Sequence, residues 1–261
     1  MVISIVITII AAYLLGNLNG AVLISHAIAK EDVRTKGSGN AGLTNFTRNY
    51  GAASSIFVIL TAVIAYLLGN VNGAIVVSRI IAHEDVRSKG SGNAGLTNFT
   101  RNYGSHSSIF VIAIDMGKAI LSCLLGGWLL GKYGYYTEGV ALGGCCLILG
   151  HDFPALLGFR GGKGILSGVT VALMMDWRIG LFVFGIFLVA YLATGYVSLG
   201  SILSSGSFGF IYAIFHWEHT FAVIVGFILS FLLVWMHRAN IVRLLKGQER
   251  KTNLLGKGNQ K

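Results

Sequence analysis

Charge is what this chain has least of. Only 11% of its 261 residues are Asp, Glu, Lys or Arg, against about 25% in a soluble domain. Hydrophobic residues make up 54%, and the mean hydropathy is +0.71. Apolar runs reach the roughly 20 residues that a helix needs to cross a bilayer, which excludes an ordinary soluble domain. Short alternating strands are also missing, which excludes a transmembrane barrel. The N-terminus has neither a basic leader nor a convincing cleavage site, so its apolar run is expected to stay as a span and not to be removed as a signal peptide. Cysteines are few: Cys123, Cys145 and Cys146 lie in apolar segments without metal-ligand spacing and are expected to be small buried hydrophobes. Acidic residues number 10 against 20 Lys and Arg, a net charge of +10. In a membrane chain that excess reads as basic loops facing the cytoplasm and anionic lipid, and no nucleic-acid partner is expected.

What is there is a repeat. The stretch GSGNAGLTNFTRNYG occurs at 37–51 and again at 90–104, identical at all fifteen positions. It is preceded by YLLGNLNGAVLISHAIAK at 13–30 and YLLGNVNGAIVVSRIIAH at 66–83, which match at 11 of 18 positions with the same offset of 53 residues. Each unit is one apolar span and one polar loop, and the pattern stops after two units, so it is no solenoid. Seven apolar segments follow the first loop, at 55–77, 109–130, 139–150, 165–175, 179–196, 199–215 and 221–236. Two of them, 139–150 and 165–175, are short. The expected fold is all-α: a polytopic membrane bundle with a seven-helix core and one extra N-terminal span from a tandem duplication. Its parts are the duplicated unit 1–53, the core 54–251 and a basic tail 252–261.

Charge placement orients the bundle. With the second loop cytoplasmic, 13 Lys and Arg fall inside and only Lys132 and Arg178 outside, with Lys118 inside a span, as the positive-inside rule favours. The first unit strains this arrangement. A single crossing at 55–77 puts the two loops on opposite sides, leaving Lys30, Arg34, Lys36 and Arg48 outside. The alternatives are poor insertion of 1–53 or a hairpin over 53–83; opposite sides is the expectation.

Three polar loops fall on one side of the bundle: GSGNAGLTN with Arg101, GHDFPALLGFRGGKG at 150–164, and HRANIVRLLKGQERK at 237–251. Glycines admit backbone N–H groups to an anion, Lys and Arg supply charge, and Ser, Thr and Asn supply directional donors, which together make phosphate-binding chemistry. The GGKG run is no Walker A loop, because GxxxxGK[ST] is absent, and no nucleophile elbow is present.

These loops resemble the three signature motifs of the bacterial acyl-phosphate:glycerol-3-phosphate acyltransferases, the PlsY family. The pair Asp115 and Lys118 in IDMGKA matches a polar pair of the family, and the likeness runs from about residue 59 to 251. It implies a seven-helix fold in the bacterial plasma (inner) membrane with the active site at the cytoplasmic face. It implies acyl transfer from acyl phosphate to the 1-hydroxyl of glycerol 3-phosphate, giving lysophosphatidic acid and phosphate. It further implies no cofactor or metal, no coenzyme A or acyl carrier protein, and no obligate protein partner besides the lipid itself. Two departures stand out: Ile165, Leu166 and Ser167 follow GGKG where the family has a small residue and Thr, and residues 1–53 are extra. Because Ala62 and Ala65 stand where Asp115 and Lys118 follow the second loop, the second copy is expected to be the working one.

By this resemblance Ser91, Gly92, Asn93, Thr97, Asn98 and Arg101 would bind a phosphoryl group, and Gly161, Gly162, Lys163 and Gly164 the glycerol phosphate. Lys118 would reach the phosphoryl group held by Ser91 to Arg101, or pair with Asp115, or both. His151 would act as base on the hydroxyl, cap a helix or bind phosphate, or leave the proton to a substrate phosphate. His237, Arg238, Asn240 and Arg243 would line the site, with His237 and Asn240 among the catalytic candidates and Glu249 anchoring the basic tail. Alternatives are an impaired relative crippled by the duplication, or a small-solute transporter, which the confinement of the repeat to the N-terminal part disfavours.

Overall fold

The computed structural model describes residues 31–251 throughout, together with Asn19, Ala21, Val22, Ser25 and His26. The expected N-terminal span and the tail 252–261 lie outside the described residues. All regular structure among the described residues is helical. The chain divides into two compact units, Met1–Phe57 and Val58–Lys261.

The first unit contains a 3-10 turn at Val33–Thr35 and helix α1, Leu43–Tyr50. Helix α2, Ala52–Asn70, runs through the boundary. In the second unit follow α3 (Gly73–Ala82), α4 (Leu96–Tyr103), α5 (Ser105–Gly131), α6 (Tyr136–Asp152), α7 (Ile165–Met175), α8 (Trp177–Thr194), α9 (Val197–His216), α10 (Thr220–Met236) and α11 (Arg238–Leu245).

Among the described residues five stretches are long and apolar enough to cross a membrane, including Ile56–Ala82; α10 and α11 reach that length only when taken together, across a bend of 56°. The protein is a helical membrane protein. All seven segments expected after the first loop return as helices, but they are not equal. The short segment at 139–150 lengthens to the 17 residues of α6, while 165–175 stays an 11-residue helix. At 1.5 Å per residue α7 is about 16 Å long, roughly half the hydrocarbon thickness. It is fixed at both ends, by Gly164 in the left-handed region at φ +65° and by Asp176, whose side chain caps α8 by accepting from Arg178 N–H. The hairpin considered for 53–83 is replaced by one 27-residue stretch, Ile56–Ala82, interrupted at Val71 and Asn72.

Small residues set the packing, as expected where lipid removes the hydrophobic drive between helices. α5 and α6 approach so closely that a Cβ on Gly126 would collide with the Gly139 carbonyl, and the reverse holds too. In α9, Gly200 lies against Phe187 and Gly209 against Phe227. The main core gathers Ala119, Val140, Leu147, Ile148, Val171, Ile179, Phe208, Tyr212, Leu229 and Leu233. A second cluster, Ile75, Val77, Val86, Ala94, Phe99 and Val111, sits under the second copy of the repeated loop.

Candidate active site

The second loop is built around one amide. Asn98, buried at the start of α4, accepts from Ser91 N–H (2.9 Å) and donates to the carbonyls of Val86 (3.2 Å), Lys89 (3.1 Å) and Asn93 (3.0 Å). The loop bends through Gly90 and Gly92, at φ +58° and +71°. Those angles suit glycine, and a Cβ on Gly90 would also strike the Asn98 amide. The Asn72 side chain ties the loop to the start of α3 by donating to Ala94 C=O (2.9 Å) while its oxygen caps Ile75 N–H (3.0 Å). Asp85 accepts from Arg87 and from Arg79 (3.0 Å), and Arg87 beside it holds its carboxyl down to about 2. Arg87 also reaches the second loop motif, donating to Leu157 C=O (3.0 Å) and Arg160 C=O (2.8 Å).

That second motif leaves α6 at His151 and Asp152, whose carbonyls would be orphaned at a helix end. Gly162 N–H (3.1 Å) and Gly161 N–H (3.2 Å) satisfy them. The turn is so tight that a Cβ on Gly162 would run into His151 Nε2. Tyr66 and Asn70 of α2 dock the loop, Tyr66 Oη donating to Phe153 C=O (2.8 Å) and Asn70 Oδ1 accepting from Leu156 N–H (3.0 Å).

Behind it lies a buried ionic knot. Lys118 Nζ contacts Asp115 Oδ1 (3.0 Å), donates to Gly69 C=O (3.2 Å) and Val71 C=O (2.7 Å), and stands 2.7 Å from His151 Nδ1. Asp115 also accepts from Gly73 N–H (3.1 Å). An ammonium has only donors, so His151 Nδ1 is the acceptor and the neutral ring carries its proton on Nε2. The residues after GGKG bond to this knot from below: Ser167 Oγ donates to Asp115 C=O (3.2 Å).

The third motif turns where α10 bends into α11. His237 Nδ1 lies 2.8 Å from Leu233 C=O. A carbonyl only accepts, so Nδ1 carries the proton and Nε2 is the open lone pair, the opposite tautomer to His151. From α11, Asn240 Oδ1 accepts from Lys163 Nζ, and Asn240 Nδ2 donates to Glu249 (2.7 Å), which also accepts from Arg243 (2.7 Å). Burial brings the Lys163 ammonium down to about 8, with Arg243 adding to the effect. Burial pushes the Glu249 carboxyl up, but the hydrogen bonds from Asn240 and Arg243 outweigh it and leave it below its ordinary value.

The three motifs enclose one cavity of about 1130 Å³ in the second unit. Ser91, Asn93, Thr97, Asn98, Arg101, His151, Gly161, Gly162, Lys163, Gly164, His237, Arg238, Asn240 and Arg243 all line it. Gly92 and Lys118 are not among the lining residues; the Gly92 N–H turns back to Lys89 C=O (3.0 Å), and Lys118 stands behind His151. The polar mouth leads to an apolar wall of Val169, Ala172, Val183, Phe184, Phe187 and Phe208 from α7, α8 and α9. Two residues that the fold brings to the site were given no role from the sequence: Arg87, in the repeated EDVR run, and Asp152, inside the second motif.

Buried polar groups at a cavity mouth, glycine-tight turns and an apolar interior define a membrane protein that handles an amphiphilic anion. The family model for glycerol-3-phosphate acyltransferase matches residues 59–247, and matches 6–63 separately. A glycerol-3-phosphate acyltransferase of Thermoanaerobacter sp. (strain X514) is 40% identical over 75% of this chain and 96% of its own length. The one from Clostridioides difficile (strain 630) is 36% identical over 74% and 94%. Among solved structures, PlsY in its glycerol 3-phosphate form, described as an integral membrane glycerol 3-phosphate acyltransferase, superimposes with TM-score 0.68 at 29% identity, covering 76% of this chain and 96% of that one. Its lysophosphatidic acid form gives TM-score 0.66. The chain belongs to the glycerol-3-phosphate acyltransferase family.

Proposed function

We propose that the chain transfers a fatty acyl group from an acyl phosphate to the 1-hydroxyl of glycerol 3-phosphate, releasing lysophosphatidic acid and phosphate, at the cytoplasmic face of the bacterial inner membrane. The observation that carries this is the single cavity joining a cationic, amide-rich mouth to an apolar wall, because both substrates carry a phosphate and one carries an acyl chain. Residues 54–251 are the catalytic core, and 1–53 are accessory.

An acyl phosphate is a mixed anhydride with a good leaving group, so the protein needs to hold two phosphates and align the hydroxyl with the carbonyl carbon. Ser91, Asn93, Thr97 and Arg101 hold one phosphoryl group, and Lys163 with Arg238 and Arg243 holds the other. Asn98 acts by positioning its loop and Asn240 by positioning Lys163, since the amide of each is already engaged. Lys118 positions His151. The His151 tautomer makes Nε2–H a donor to a developing oxyanion and not a base. His237 Nε2 is the better proton acceptor of the two rings. As the hydroxyl oxygen bonds to the carbonyl carbon and the bond to phosphate breaks, the hydroxyl proton passes to the departing phosphate, directly or through His237, so charge and protons balance.

The test is to purify the protein in detergent, supply palmitoyl phosphate and glycerol 3-phosphate, and measure phosphate release with lysophosphatidic acid formation. Equal release with and without glycerol 3-phosphate would reduce the activity to hydrolysis. No release at all would mark an impaired relative.

A further inference from the structure

Asp152 has no part in the roles above, yet its surroundings call for a ligand. It is the last residue of α6, is 1% exposed, and lines the cavity. Neither of its carboxylate oxygens has a hydrogen-bond partner among the described residues. Its main chain is fixed, because its carbonyl accepts from Gly161 N–H at 3.2 Å. Its side chain lies under the turn into α7, where a Cβ on Gly164 would stand 3.0 Å from Asp152 Oδ1. Lys118, the nearest cation inside the bundle, has its three protons shared among Asp115, Gly69 C=O, Val71 C=O and His151 Nδ1.

A buried carboxylate with both oxygens empty is a costly arrangement that persists where a partner arrives from outside. A phosphate does not fit that role, since it brings only acceptors and negative charge. Neutral hydroxyl donors fit it. Asp152 follows His151 and sits beside Gly164, next to the Lys163 ammonium that holds a phosphate under the function proposed above. The group attached to that phosphate is therefore the one placed over Asp152. We infer that Asp152 accepts hydrogen bonds from the glycerol hydroxyls of the acceptor and makes the site select a polyol phosphate over an alkyl phosphate of the same size and charge. This rests on the glycerol 3-phosphate reading and adds the residue that reads the hydroxyls.

The experiment is calorimetric titration of detergent-purified full chain, without acyl donor, using glycerol 3-phosphate and n-propyl phosphate. Wild type should bind glycerol 3-phosphate at least about 30-fold more tightly, because removing the hydroxyls leaves the carboxylate unpaired. In Asp152→Ala the two ligands should come within about threefold of each other, with n-propyl phosphate bound as in wild type or better. Asp152→Asn, which keeps an acceptor without the charge, should fall between them and gives the same reading if the Ala variant fails to fold. A ratio unchanged by either substitution overturns the inference, as does a wild type with no preference. If wild type binds neither phosphate, the glycerol 3-phosphate reading itself fails and takes this inference with it.

Discussion

The loop at 37–51 and the loop at 90–104 are the same fifteen residues, and each folds the same way within its own unit. In the first, Asn45 accepts from Ser38 N–H (2.9 Å) and donates to Val33, Lys36 and Asn40 carbonyls at 2.9–3.0 Å, as Asn98 does in the second. Glu31 pairs with Lys36 as Glu84 pairs with Lys89, and the tilted rings of Phe46 and Tyr50 lie at the same 4.9 Å as those of Phe99 and Tyr103. The copies part where the sequence around them parts. Both arginines pair with the Asp two residues before them, Arg34 with Asp32 and Arg87 with Asp85, and Arg87 also spans to the carbonyls of Leu157 and Arg160. Behind the second loop stand Asp115 and Lys118; at the same offset after the first stand Ala62 and Ala65. A loop can thus fold on its own amide, while anion binding also needs groups from other elements.

The sharpest way to break this comparison is to truncate the matched arginines. Arg101→Ala should lower kcat/KM by about 10³-fold, the scale of removing one charged donor from a transition state, while Arg48→Ala should stay within about twofold of wild type in the same phosphate-release assay. Equal losses would mean that both copies serve the reaction. The matched asparagines come next. Asn98→Ala removes five hydrogen bonds made by a buried amide and should cost about 10²-fold in kcat/KM through loop disorder, whereas Asn45→Ala should loosen only its own loop, seen as faster proteolysis near residue 40 with activity kept. A smaller effect comes from pH. Lys163 is charged below about 8 and neutral above it, so phosphate affinity is present at lower pH and is lost as pH rises through that value. The KM for glycerol 3-phosphate should rise toward tenfold per pH unit above about 8, and Lys163→Arg should flatten the profile. The smallest effect is expected from deleting residues 1–53, which should leave kcat/KM within about twofold; a folded but inactive product would mean that the first unit takes part.

Much of this was legible in the residues. The apolar runs forced helices because lipid offers the backbone no partners, and the glycine, Asn and Lys content of the three loops marked anion chemistry. The likeness at 90–104, 150–164 and 237–251 pointed to the family to which the chain belongs. Individual roles were less legible. Asn98 and Asn240 read as ligand-facing amides, but nothing in their spacing discloses that their hydrogen-bonding capacity is used within the protein. Lys118 and Asp115 announced themselves as a pair three residues apart, yet His151, 33 residues further on, had to be folded against them before its tautomer had a cause. Asp152 carried no signal, since a lone Asp beside a His is unremarked in any sequence.

By itself, then, the sequence determined the membrane class, the helices, the duplicated loop and the chemical character of the three motifs, because periodicity, hydropathy and glycine are local properties. Only the tertiary structure decided that Arg87 ties the second loop to the second motif, which side chains are already engaged, which nitrogen of His151 and of His237 holds the proton, and that Asp152 has both oxygens unpaired among the described residues. Those depend on distances between residues far apart in the chain, and a buried polar group takes its role from what its neighbours leave unsatisfied.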